Sequence, residues 1–372
     1  MRYKIICILL AIILFTAGCS LPSDTEDPTS SVATSTSTPQ AIPQKVGILM
    51  PNSNRLWNRG GLRLQQQVEA SGGIADLQYA NDSWTVQASQ MKKMITNDYD
   101  VLVVAFVDRA ALNEVLVQAK EKDIPVIAYA RHPWSAENIS YFVFFDSENI
   151  GNPLGEYIEE TLDLKNASGP FNIEMFGGDL SSSSRFPHFH HNGLMEFLQP
   201  YFDNGQLAVP SKQINAETAT EGFATEKAYE RMKELIASQN YGPEPKKTRL
   251  DAVICIDDSI ARGVTQALLE AGYTADTFPI ITGTNTEIES VRNIIAGTQS
   301  MSFFDDPTIL ADRVFQMITS ILNGEEPEIT YTEALFGEPI PTYICDSVVV
   351  TRENYRELLI DSGYYTEEEL NG

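Results

Sequence analysis

Two side chains of opposite charge stand at neighbouring strand exits in this chain. The stretch Tyr99–Arg131 reads YDVLVVAFVDRAALNEVLVQAKEKDIPVIAYAR. Asp108 closes the apolar run Val101–Val107, and Arg131 closes the run Ile124–Ala130. A carboxylate accepts and a guanidinium donates several hydrogen bonds, which is the chemistry that holds a polar ligand. Each residue has a plainer alternative. Asp108 suits the N-cap of a helix opening at Ala110, and Arg131 could be a solvated surface arginine. Asp257 and Asp258 follow a third run, Ala252–Ile256, with Asp258 placed to cap the next helix. The loop Asp179–Asn192 carries His188, His190 and His191. Zinc needs ligands that converge, usually with carboxylate or cysteine company. This loop does not supply that spacing, so no metal and no cofactor is expected.

The elements that must position these groups are parallel strands. Strands buried on both faces read as continuous apolar runs. Between the two runs, Ala111, Leu112, Val115, Leu116 and Ala119 form one helical stripe. The unit is therefore βαβ, with a right-handed crossover expected. Ligands in such sheets bind beyond the carboxyl ends of the strands, where Asp108 and Arg131 lie. The pattern extends both ways. Strands are predicted at Lys45–Met50, Ile74–Ala80 and Tyr141–Phe145, giving a first five-strand α/β series. A second series has strands at Phe171–Phe176, Ala252–Ile256, Pro279–Thr282, Gln299–Phe304 and Val348–Val350, interleaved with helices. The reading is α/β, with two doubly wound parallel-sheet lobes.

The chain has 372 residues, which favours two domains. Its 51 acids against 26 bases give a net charge of −25. That excludes nucleic acid as a partner, because phosphate neutralisation needs clustered Lys and Arg. Arg2 and Lys4 precede a short apolar core at Ile5–Phe15, too short to span a bilayer. Thr16-Ala17-Gly18-Cys19 follows and resembles a bacterial lipobox, with Thr16 where Leu is usual. Residues 1–18 are read as a lipoprotein signal peptide and Cys19 as the lipidated residue. Residues 19–44 are rich in Ser, Thr and Pro and read as a disordered tether. Cys255 and Cys345 sit in apolar segments and are read as buried free thiols.

Several segments, in order, resemble the sugar-binding proteins of the type 1 periplasmic-binding-protein superfamily, nearest its multiple-sugar-binding branch. They include Val46-Gly47-Ile48 with Trp57 and Gly61, then Ile124-Pro125-Val126-Ile127-Ala128-Tyr129 with Arg131. Gly169-Pro170-Phe171 through Gly177-Gly178, Leu198-Gln199-Pro200-Tyr201 and Asp361-Ser362-Gly363-Tyr364-Tyr365 continue the match. The resemblance implies two lobes joined by a three-crossing hinge. The crossings match near Phe145-Asp146, Asp305-Asp306 and Pro341–Tyr343. The lobes are then 45–145 plus 306–340, and 146–305 plus 341–372. It also implies a sugar held between the lobes and passed to an ABC permease.

By the same matching, Asp108 and Arg131 bond sugar hydroxyls, Trp57 offers a ring face, and Asp257 faces the cleft. Thr284, Asn285 and Asp305 fall at ligand positions where the branch has Gln, Asp and Lys or Gln. Arg55 stands one residue away from the family's arginine, whose place Leu56 takes. Ala130 replaces the usual Asp before Arg131. Ser184 is the substitute ligand taken from the divergent 179–192 loop, where Ser183, Arg185 and His190 are alternatives. With Asp305 replacing a Lys, a neutral or amino-bearing sugar is favoured over a uronic acid, since two anions would meet in a desolvated site.

An enzyme is disfavoured. No G-x-S-x-G elbow, P-loop or dinucleotide fingerprint is present. Cleft carboxylates could form a glycosidase pair, but recognition is the simpler reading. A sugar-sensing role, docking on a chemoreceptor or sensor kinase, is the alternative to transport. A monomer is expected, held by lipid on Cys19 at the outer face of the cell membrane.

Overall fold

The computed structural model describes residues 44–134, 137–146, 150–181, 193–335 and 338–372. The signal segment, Cys19, nearly all of the tether, Ser184 and the histidine loop lie outside the described residues.

The first half follows the predicted alternation. It runs β1 (Lys45–Met50), α1 (Arg55–Ala70), β2 (Ile74–Tyr79), α2 (Trp84–Thr96), β3 (Val101–Val104), α3 (Asn113–Glu121), β4 (Val126–Tyr129) and β5 (Tyr141–Phe145). The second half continues with α4 (Gly151–Thr161), β6 (Phe171–Phe176), α5 (Leu194–Asp203), β7 (Leu207–Ala208), α6 (Thr225–Ser238), β8 (Ala252–Cys255) and α7 (Asp258–Glu270). Then come β9 (Ile280–Ile281), α8 (Ile288–Ala296), β10 (Met301–Phe304), α9 (Pro307–Asn323), β11 (Tyr331–Leu335), β12 (Glu338–Cys345), β13 (Val348–Thr351) and α10 (Glu367–Asn371).

The first sheet has the order β11-β12-β5-β4-β3-β1-β2 and is parallel except for the β11–β12 hairpin. Its apolar runs are continuous because alternate residues enter two cores. Val101, Val103, Ile127 and Val143 pack with α1 and α9 through Leu64, Val68, Leu310 and Val314. Leu102, Val104, Val126 and Phe142 pack on the other face with α2 and α3 through Met91, Met94, Val115 and Leu116. The second sheet is β7-β6-β8-β9, also parallel, and β10 pairs antiparallel with β13 beside it. A single parallel bridge, Thr284 to Phe303, links the two pieces. One core fills this lobe between α4, α5, α6 and α7. A smaller one joins Val291, Ile294, Phe304, Val350, Leu359, Tyr365 and Leu370.

Two expectations are corrected. The first sheet has seven strands rather than five, because the hairpin β11–β12 adds to its edge. Pro339 and Pro341 hid that hairpin. They lie where β12 meets only β11, while pairing with β5 begins at Thr342, so neither proline removes a bond from the sheet interior. For the same reason the last passage between sheets is not at Pro341–Tyr343. Thr342–Cys345 are still in register with Phe142–Phe145, and the passage falls at Asp346-Ser347.

Helices α6 and α7 approach closely at Gly263. A Cβ there would lie 2.2 Å from Thr225 O and 2.8 Å from Tyr229 N, both backbone atoms that cannot swing aside. We expect Gly263→Ala to lower unfolding free energy by about 1–3 kcal/mol, read as a lower urea midpoint at unchanged slope.

Candidate functional site

The first rim is built at the carboxyl ends of β1, β2, β3 and β4. Asn54 caps α1, its side chain accepting from Trp57 N at 3.2 Å. The cap satisfies an otherwise orphaned first-turn donor and fixes where the Trp57 indole enters the core. Trp57 is 5% exposed and packs 6.4 Å from the Tyr129 ring. The chain leaving β4 turns at Ala130, whose φ is +59°. Asp and Asn occupy this left-handed region more readily than Ala, so Ala130 stores local strain. The turn lays the Arg131 guanidinium over the Trp57 ring, 4.9 Å from its centroid. One nitrogen donates to Phe106 O at 2.7 Å. Burial lowers the guanidinium's proton affinity and the charge of Asp82 opposes that. Asp82 itself accepts from Asn52 at 2.8 Å. No carboxylate bonds Arg131 directly among the described residues, and most of its five donors remain available to a ligand. Asn52 and Asp82 were not singled out from sequence. Their signal is a polar residue at the exit of each of the first two strands.

Asp108 is exposed, and one oxygen accepts from Ala110 N at 2.9 Å and Ala111 N at 3.1 Å. It closes a turn and does not cap a helix, since α3 begins at Asn113. Its second oxygen makes no hydrogen bond among the described residues.

The second rim lies beyond β8, β9 and β10. Here the expected roles of the adjacent aspartates change. Asp257, and not Asp258, is the N-cap of α7. It accepts from Ser259 N at 2.8 Å and Ser259 Oγ at 2.5 Å. Its other oxygen accepts from Asn285 Nδ2 at 2.8 Å. Asp258, one residue on, points inward and is fully buried. It accepts from Glu287 N at 2.8 Å, Ser302 Oγ at 2.9 Å and Gln299 Nε2 at 3.1 Å. Burial pushes its carboxyl up to about 8 against those donors, and burial likewise raises Asp257. Thr284 is buried, and its carbonyl accepts from Asp258 N at 3.1 Å. Asn285 is exposed at φ +95°. Asp305 is half-buried and accepts from Ser347 Oγ at 2.5 Å, tying two of the passages between the sheets together.

Arg55 does not join Arg131. It pairs with Glu369 of α10, and its guanidinium lies 4.5 Å from the Tyr365 ring centroid. Tyr365 Oη donates to Thr286 O at 3.0 Å, one residue beyond Asn285. The two rims are thus connected through Arg55 and Tyr365. Trp57 and Arg131 are in contact, and Asp257 and Asn285 are bonded. Among the described residues no cluster of His, Cys, Asp or Glu could hold a metal. Cys255 and Cys345 are free and buried, as expected, and burial pushes Cys345 up to about 12. No described helix is long and apolar enough to cross a membrane.

The fold is α/β with two mostly parallel sheets, and polar side chains stand at the strand exits of both. The chain belongs to the type 1 periplasmic binding protein family; the family's periplasmic binding protein domain matches residues 46–326. It is a family of binding proteins, not enzymes. A multiple sugar-binding periplasmic protein of Azospirillum brasilense is 37% identical, over 87% of this chain and 90% of that one. A multiple sugar-binding periplasmic receptor of Rhizobium radiobacter is 34% identical, over 87% and 92%. The crystal structure of an ABC transporter solute binding protein from Clostridium phytofermentans, with bound β-D-glucose, is 41% identical. It matches with a TM-score of 0.64 over 88% of this chain and 100% of that one.

Asp258 yields a pH prediction. Its folded-state pKa is raised, so the folded protein holds a proton that the unfolded chain has released above about pH 4. Stability then falls as pH rises from about 4 to 8, by up to about 1.4 kcal/mol per unit for this one group. Chemical denaturation from pH 5 to 8 should show the decline, and Asp258→Asn should flatten it.

Proposed function

We propose that the protein captures a neutral sugar between the two rims and delivers it to an ABC permease. The observation that carries this reading is Arg131, a cation laid on Trp57 with donors to spare. It stands at the strand-exit edge of a fold shared with a 41%-identical protein that holds β-D-glucose. In this reading Trp57 borders the apolar face of the sugar. Arg131, Asp108 and Asn285 bond hydroxyls directly, and Asp257 orients the Asn285 amide. Thr284, Asp305, and Ser184 from the 182–192 loop complete the site, while Arg55 acts from its margin. Asp108, Asp257 and Asp305 make the site acidic, which disfavours a uronate.

Residues 1–18 are a signal peptide, Cys19 carries the lipid, and residues 19–44 tether the folded body at the outer face of the membrane. Lipid labelling should mark the wild type and be abolished by Cys19→Ser.

Calorimetry with D-glucose and D-glucuronate tests the ligand. We expect D-glucose to bind at least tenfold more tightly. Arg131→Ala should weaken D-glucose binding by about a hundredfold, as expected for losing charge-assisted hydrogen bonds from a desolvated site. Tight D-glucuronate binding without D-glucose binding would overturn the proposed specificity.

A further inference from the structure

The C-terminal segment crosses from the second lobe to the first and touches the second rim. Its own core is in the second lobe, where Tyr365 and Leu370 pack with Val291, Ile294 and Phe304. Tyr364 lies edge-on to Phe304, 4.6 Å between centroids, one residue before the Asp305 passage. From there the segment meets α1 of the first lobe. Arg59 Nη2 donates to Ser362 O at 2.5 Å, and its guanidinium lies 5.8 Å from the Tyr364 ring. Arg55 covers Tyr365 and pairs with Glu369. Glu369 is fixed for that pair because its other oxygen closes a capping box on Thr366 N at 2.9 Å.

The opposite end of Tyr365 holds a strained loop. Asn285 and Thr286 have φ values of +95° and +50°, a pair of adjacent left-handed non-glycine residues. That backbone persists only where surroundings over-determine it. Thr286 N donates to Ser302 Oγ at 3.0 Å, Asn285 N to Phe303 O at 3.0 Å, and the Thr286 carbonyl takes the Tyr365 hydroxyl. Of these partners, among the described residues, Tyr365 also touches the first lobe, through Arg55.

We propose that Ser362–Glu369 is a clasp between the lobes, in which Tyr365 is a positioning residue that holds the Asn285 loop ready for ligand and Arg55 transmits closure of the first lobe to it. The inference rests on the reading of Asn285 as a ligand residue. Opening the lobes removes Arg55 and Arg59 from the segment, and with them the cover over Tyr365 that steadies its bond to Thr286 O. Closure restores both arginine contacts.

Hydrogen–deuterium exchange of the purified sugar-free protein tests the clasp. In Tyr365→Phe, the amides of 285–287 should exchange about tenfold faster while those of Leu102–Val104 stay unchanged. In Arg55→Gln with Arg59→Gln, the same loop amides should accelerate although neither residue touches the loop. Tyr365→Phe should also weaken D-glucose binding by about five- to tenfold. Unchanged loop exchange with normal sugar binding would overturn the clasp alone. Accelerated exchange in a protein that binds none of a panel of neutral sugars would instead overturn the function proposed above, leaving the mechanical coupling standing.

Discussion

The second rim depends on one desolvated carboxyl group. Asp258 has no exposed surface, yet it gathers the start of α8 through Glu287 N, β10 through Ser302, and the approach to β10 through Gln299. Leaving any of these donors unpaired in a water-free interior would cost more than the bond itself contributes. The loop Gly283–Glu287 is therefore anchored at Thr284 and Glu287, on either side of Asn285 and Thr286. Gly283 is part of the same constraint, because a Cβ there would lie 2.0 Å from Asp258 Oδ1. Asn285 is presented to solvent as a consequence, with its amide fixed by Asp257.

The first rim solves the opposite problem. Its charged group must stay reactive toward a ligand, so it cannot be consumed by an ion pair. Arg131 is held by stacking and by a carbonyl, interactions that orient a guanidinium without neutralising it. The charge that offsets its desolvation, Asp82, is itself occupied by Asn52. One rim thus contributes a cation with free donors, and the other an amide–carboxylate pair. That division suits a guest carrying many hydroxyls, each of which both donates and accepts.

The parts of this plan that were legible in sequence are those with local causes. The runs Val101–Val107 and Ile124–Ala130 announced a parallel sheet because both faces are buried, and the residues closing them lie at the edge where they were expected. Trp57 and Arg131 were readable separately, and their stacking follows from the turn at Ala130. The rest had distant causes. Asp257 and Asp258 are identical in type, and only the starting residue of α7 decides which caps and which is buried. That start answers to Gln299 and Ser302, which lie 41 and 44 residues from Asp258. Arg55 was read as a ligand residue from a family arginine one position away, and nothing near it in sequence reveals its pairing with Glu369, 314 residues on. The hairpin β11–β12 was hidden by prolines that a sheet edge tolerates.

Those distant causes share a consequence for how affinity is set. A ligand gains from closure only the difference between its affinities for the closed and open forms. Contacts made between the lobes without ligand raise the population of the competent form, and apparent affinity rises in proportion. The arginine contacts from α1 to the C-terminal segment are of this kind. The Arg55–Glu369 pair is open to solvent, its side chains 38% and 37% accessible, so it contributes little and responds to salt. A weak clasp is the useful strength. A buried, strong one would hold the lobes shut before a sugar could enter, and none at all would leave the strained Asn285 loop to be ordered at the ligand's expense.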